Sequence, residues 1–205
     1  MENLSFPDAW EETALVAITK LAGSDIEFAA ITETIDISEP DYPIESIANL
    51  AGGRIVKQSP MEDGEITLEI YPVELDSTSG IGLFQQYIGG TYDTSEPLAT
   101  DSSWPASVDR TRDSFRVTVL WTNSPAVVAA NAATAAATDS LRFSCMGARL
   151  TSHKTSFTDG IVKTTVTFKF PAFNKAGTVM MFRWESADQT ALDAIATYDD
   201  QDSWT

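Results

Sequence analysis

The chain has 205 residues, 43% of them hydrophobic, enough for a core that needs neither disulfides nor metal to hold it. One cysteine, Cys145, and one histidine, His153, exclude an intrachain disulfide and every metal site or catalytic dyad that requires two imidazoles. Thirty acidic against thirteen basic residues give a net charge of −17, which argues against a nucleic-acid reader that neutralises phosphates with Lys and Arg.

The opening, MENLSFPDAWEE, has neither the basic stretch nor the apolar core of a secretory signal, and no run approaches the roughly 20 apolar residues of a membrane span. The expectation is synthesis inside the cell and no membrane insertion. Residues 7–22 read as a short helix or an arm, with Pro7 and Asp8 at the start and Gly23 as the stop, within an N-terminal arm over 1–24. Over 26–38, Ile31, Glu33, Ile35 and Ile37 share one side and Thr32, Thr34 and Asp36 the other, the period of a strand that Pro40 and Pro43 end.

The run 52–75 carries turn signals at Gly52-Gly53 and Asp63-Gly64 and reads as a hairpin. Its alternation puts Ile66, Leu68 and Ile70 on one face and Glu65, Thr67 and Glu69 on the other. Over 79–90 the period becomes helical: Ile81, Phe84, Tyr87 and Ile88 form one stripe, Ser79 can cap it, and Gly89-Gly90 can end it. The segment 91–113 has turn residues without period and reads as a long surface loop. Strand alternation resumes with Phe115, Val117, Val119 and Trp121 on one face.

The alanine-rich 124–140 reads as a helix with Pro125 in its first turn, and its small residues and threonines also suit a loop packed on a neighbour. Three strand-like runs then follow, divided by Asp159-Gly160 and Ala176-Gly177, in the manner of an antiparallel meander; a short helix and an acidic tail close the chain. No internal repeat or linker divides it, so one domain over 1–205 is expected.

Charge is unevenly spread. Residues 1–100 hold nineteen acids and three bases, net −16, and 101–205 hold eleven acids and ten bases, net −1. At molar salt the screening length falls to roughly 3 Å, and the self-repulsion of so acidic a surface largely disappears. The composition therefore suits a high-salt source. Arg110, Arg112, Arg116, Arg142 and Arg149 lie scattered without interleaved aromatics and read as solvated or interfacial charges rather than a DNA site.

Catalytic devices are scarce. Glu39, Asp41 and Glu45 approach the acid cluster of a glycosidase strand, but Pro40 and Pro43 break the extended backbone that would align them, so a surface loop is expected. Glu62-Asp63-Gly64-Glu65 lacks the alternating oxygens and distal glutamate of a calcium loop and reads as a turn. His153 lies beside Ser152 and Ser156 without a nucleophile elbow, and Cys145 alternates with Phe143 toward the interior. No enzyme activity, cofactor or metal is expected. Trp121 and Trp184 fall in strand patterns, whereas Trp104 in the long loop and Trp204 near the terminus are candidate inter-subunit contacts.

The segments 141–182 and 52–75 resemble the major tail tube proteins of tailed viruses and, with this acidity, the form found in tailed viruses of haloarchaea. The matching elements are the turn and strand of Asp159, Gly160, Ile161, Val162, Val166 and Phe168, and the strand Gly64 to Leu68. The resemblance implies an antiparallel β-sandwich or barrel with one packed α-helix. Such a subunit forms hexameric rings that stack with other tail proteins into the tube through which double-stranded DNA passes without specific binding. It also implies a virion component made in the host cytoplasm. Within that frame, Glu65, Thr67 and Glu69, facing away from the sandwich core, are the candidate lumen residues. Two other readings of the composition are an acidic β-sandwich that binds carbohydrate or adheres to a surface, and a DNA-mimic protein.

Overall fold

A computed structural model describes residues 13–21, 25–28, 31–58, 60–70, 114–122, 140–185 and 195. These residues form the strands β1 (Thr13–Lys20), β2 (Asp25–Phe28), β3 (Ile31–Ser38), β4 (Ile44–Ala48), β5 (Arg54–Gln58), β6 (Gly64–Ile70), β7 (Phe115–Thr122), β8 (Ser140–Thr158), β9 (Ile161–Phe170) and β10 (Met181–Glu185). No helix occurs among the described residues. The expected helices over 79–90 and 124–140, the closing helix and the loop 91–113 lie outside them, save that Ser140 begins β8.

Among the described residues eight strands make one antiparallel sheet in the order β2-β1-β7-β8-β9-β6-β3, with β10 also on β8, while β4 and β5 pair with each other apart from it. The sheet turns through β8. Its first part pairs with β7 and β10 and its second with β9. Gly147, at φ 66°, adopts the left-handed conformation that glycine tolerates, and the register against β9 slips between Leu150 and Ser152, so the strand bends from one half of the sheet into the other.

The two halves close over a single core. Val16 and Ile18 of β1 lie opposite Val119 and Val117 of β7, which lie opposite Phe143 and Cys145 of β8; from the other half come Ile66, Leu68, Val166, Phe168 and Phe170. Two edge-to-face aromatic pairs join the halves, Phe115 with Phe168 at 5.5 Å and Phe143 with Phe170 at 6.1 Å between ring centres. The curl also brings β3 back against β1. The described part of the molecule is thus a curled antiparallel half-barrel.

Several expectations are corrected by this pairing. Residues 13–20 form a strand inside the sheet, not a helix or an arm. Val16 and Ile18 fill the core while Ala17 and Thr19 are buried on the opposite face, so the run has no alternation to betray it. The hairpin expected over 52–75 is split: the turn at Gly52 joins β4 to β5, and β6 pairs instead with β3 and β9. Nor do the last three strands form a simple meander. After β9 the chain makes an excursion over 171–180, closed by a bridge between Phe173 and Val179, and β10 returns to the first part of β8.

Arg116 and Arg142, expected at the surface, are 2% and 1% exposed. They lie on the second face of the β1-β7-β8 region, which is buried along with Thr118, Leu120, Thr122, Ser140 and Ser144. Hydroxyl pairs knit this face together, Thr118 with Ser144 at 3.0 Å and Ser140 donating to Thr122 at 3.1 Å, and Arg116 donates to Thr19 Oγ1 at 3.3 Å. Burial, and then the neighbouring Arg116 guanidinium, push Arg142 below its ordinary value.

Candidate functional site

Two surfaces stand out, a polar sheet face and an apolar arm. The polar face follows from register. Gly64 begins β6 where a Cβ would lie 2.4 Å from Phe170 Cζ and 2.8 Å from Pro40 Cδ, so only glycine admits this approach of β6 to its neighbours. From there Ile66 and Leu68 enter the core, and Glu65, Thr67 and Glu69 alternate onto the opposite face, half-buried.

Their cross-strand partners are polar as well. Glu65 lies opposite Lys169, Thr67 opposite Thr167 and Glu69 opposite Thr165. Lys169 Nζ is 3.7 Å from Glu65 Oε2, and Lys163 Nζ is 2.8 Å from Glu69 Oε1. Between the two ion pairs the Thr67 and Thr167 hydroxyls share a hydrogen bond of 3.1 Å. The same face continues onto β3 with Asp36 and Ser38, and onto β8 with Arg149 and Lys154. It carries three acids (Asp36, Glu65, Glu69) and four bases (Arg149, Lys154, Lys163, Lys169), without an apolar side chain between the paired rows of β6 and β9. The three sequence-predicted residues are therefore brought together, and what alternation alone missed is the lysine row beside them.

The second surface is the β4–β5 arm. Asn49 builds its turn, its Oδ1 accepting from the Ala51 and Gly53 N–H groups at 3.1 and 2.8 Å, and Gly52 supplies the left-handed φ of 80°. A backbone bond from Glu62 N to Asp41 O, 2.8 Å, ties the base. Register places Ile47 and Ile55 on one face of the ribbon and Ile44 and Val56 on the other. All four are open to solvent: Ile44 is 66%, Ile47 52%, Ile55 57% and Val56 65% exposed, and Leu50 at the tip is fully exposed.

The remaining candidates are dispersed. Glu39 pairs with Arg183, Asp41 accepts from the Tyr42 N–H, and Glu45 stands 3.8 Å from Lys57 within the arm, so the three acids do not converge. Among the described residues no cluster of His, Cys, Asp or Glu has the make-up of a metal site. Cys145 is fully buried, and burial pushes its thiol up to about 12. His153 is half-buried on β8. Trp121 packs on the core and Trp184 stacks on Phe182 at 5.7 Å; Trp104 and Trp204 lie outside the described residues.

No protein-family model matches the chain, and no curated protein sequence matches it. Among solved structures it is similar to a chain in the sheath/tube terminator of an extracellular contractile injection system, PVC, in its extended state. Identity is 11% over 88% of this chain and 99% of that one, with a TM-score of 0.46. It is similar also to a chain of the sheath–tube complex of that system, at 12% identity over 83% and 88% of the two chains and a TM-score of 0.46. A third similarity is to the Hcp protein, at 8% identity over 85% and 99% of the two chains and a TM-score of 0.34.

Proposed function

We propose that this chain is a structural subunit of a viral tail tube. In this reading it assembles into hexameric rings that stack, with other tail proteins, into the tube through which the double-stranded genome passes. The observation that carries the reading is the β4–β5 arm. A lone two-stranded ribbon is marginal in water, and four branched aliphatic side chains spread over both of its faces gain nothing from exposure. Such an arm acquires its stability from another subunit. The sheet adds a second reason: among the described residues its order runs from β2 to β3, and edge strands of a curled sheet are natural seams between identical subunits.

The strand patterns at Gly64 to Leu68 and Asp159 to Phe168 that resemble tail tube proteins fall in β6 and in the β8–β9 turn with the β9 strand that follows, the part of the sheet that carries the polar face. In the assembled tube this face lines the passage, with Glu65, Thr67 and Glu69 toward the genome. The acidic surface elsewhere fits the concentrated salt in which haloarchaeal viruses assemble.

Sedimentation velocity over a range of protein and salt concentrations tests the proposal. Discrete ring species and larger stacks, growing with salt, are expected. A chain that sediments as a monomer throughout would overturn the reading.

A further inference from the structure

The polar face holds more bases than acids, yet its lysines on β9 are tied to glutamates on β6. We propose that Glu65 and Glu69 act as masks: by holding Lys169 and Lys163, they keep the face from gripping a duplex DNA that slides along it. This rests on the tube reading for the place of the face, and adds to it a mechanism for passage.

The geometry separates masking from simple acidity. Duplex DNA carries one negative charge per roughly 1.7 Å, so two further ammonium groups per subunit, released beside Lys154, which lies opposite a threonine and not an acid, would strengthen the hold of a ring on it. An ammonium already committed to a carboxylate gains little from a phosphate, because that contact must first break the pair. The Glu69–Lys163 pair is short and both side chains are only about a quarter exposed, 27% and 26%, so it is screened less than an ordinary surface pair. Between the two pairs, the Thr67–Thr167 hydroxyls offer a neutral surface.

Asp36 supplies the control. It is an acid on the same face, opposite Thr67, and its removal lowers the negative charge by the same amount as removal of Glu65 without taking away the partner opposite a lysine.

The test compares the parent, Glu65→Gln, Asp36→Asn and the double variant E65Q/E69Q, titrated with linear duplex DNA. Gln preserves side-chain size, the exposed Glu65–Lys169 pair contributes little to folding, and a melting curve of each variant measures what loss of the less exposed Glu69–Lys163 pair costs. The double variant should retain DNA, with affinity falling about tenfold for each roughly fourfold rise in salt on the isolated subunit, where two charges are newly available, and more steeply in a ring, where each subunit in contact adds two more. E65Q should bind more tightly than D36N, which should behave as the parent does.

A double variant that releases DNA as the parent does would overturn the masking, and so would equal binding by E65Q and D36N, which would make net charge alone responsible. If no variant forms rings at any salt, the tube reading fails separately, and the same titration on the unassembled chain still decides whether Glu65 and Glu69 mask the lysines.

Discussion

Replacing Ile47 and Ile55 together by Thr should uncouple assembly from folding. The two residues face each other across the arm, 52% and 57% exposed, so about half of each side chain is still available for burial by a neighbour. Fully burying an isoleucine is worth about 1.5–3 kcal/mol, which leaves about 0.8–1.5 kcal/mol per residue to be gained on assembly. Threonine keeps the β-branched backbone preference and forfeits most of that gain, so each contact should weaken by about 1–2.5 kcal/mol. At about 1.4 kcal/mol per tenfold, the concentration needed for assembly should rise about 5- to 60-fold. The subunit itself should change by less than about 0.5 kcal/mol, since both sites are open in the monomer. Light scattering against protein concentration gives the threshold, and a denaturant melt of the dilute protein gives the folding control. Assembly at the parental concentration by a stably folded variant would refute the role assigned to the arm.

Three further outcomes follow from the structure. Gly64→Ala should cost about 1–3 kcal/mol, because its Cβ would overlap Phe170 and Pro40; a melt within experimental error of the parent would show that β6 can shift to admit it. Cys145 should resist alkylation at pH 8 in the folded protein and react once it is unfolded. Since its folded value, about 12, lies above the ordinary 9.0, its contribution to stability is complete below pH 9 and should be lost between pH 9 and 12, by up to about 1.4 kcal/mol per pH unit. A Cys145→Ala variant with the same alkaline stability profile as the parent would contradict this. With a net charge of −17, the melting temperature should climb as salt is raised toward molar concentrations; a flat or falling dependence would remove self-repulsion as a governing term.

Strands whose two faces differ in chemistry were plain in the sequence even where both are buried, as in β7, and a strand with small or apolar residues on both faces was not. Ile66 and Leu68, like Phe115, Val117 and Val119, alternate as expected because their opposite neighbours on β6 or along the chain differ in kind. Residues 15–19, Leu-Val-Ala-Ile-Thr, conceal their strand because Val16 and Ile18 meet the core while Ala17 and Thr19 are covered from behind. Arg142 was misread for the same reason, since a charged residue marks the surface only where one face of the sheet is free.

Turn residues showed where chain direction changes but not which strands pair. Gly52 and Gly64 were both visible, yet β6 takes its neighbours from residues 31–38 and 161–170. The ion pairs of the polar face were hidden by distance along the chain. Glu65 and Lys169 become neighbours only after β9 is laid beside β6, and no local pattern announces that. Of the arm, the turn at Gly52-Gly53 was legible, whereas β4, which holds Glu45 in a stretch expected as a surface loop, and the separation of the ribbon from the large sheet emerged from the fold alone.

The most direct test of a tube subunit is electron microscopy of the purified chain at molar salt. Stacked rings with a central passage, lost in the Ile47→Thr/Ile55→Thr variant, are the expected image. A field of isolated, monodisperse monomers at every protein concentration would contradict the account.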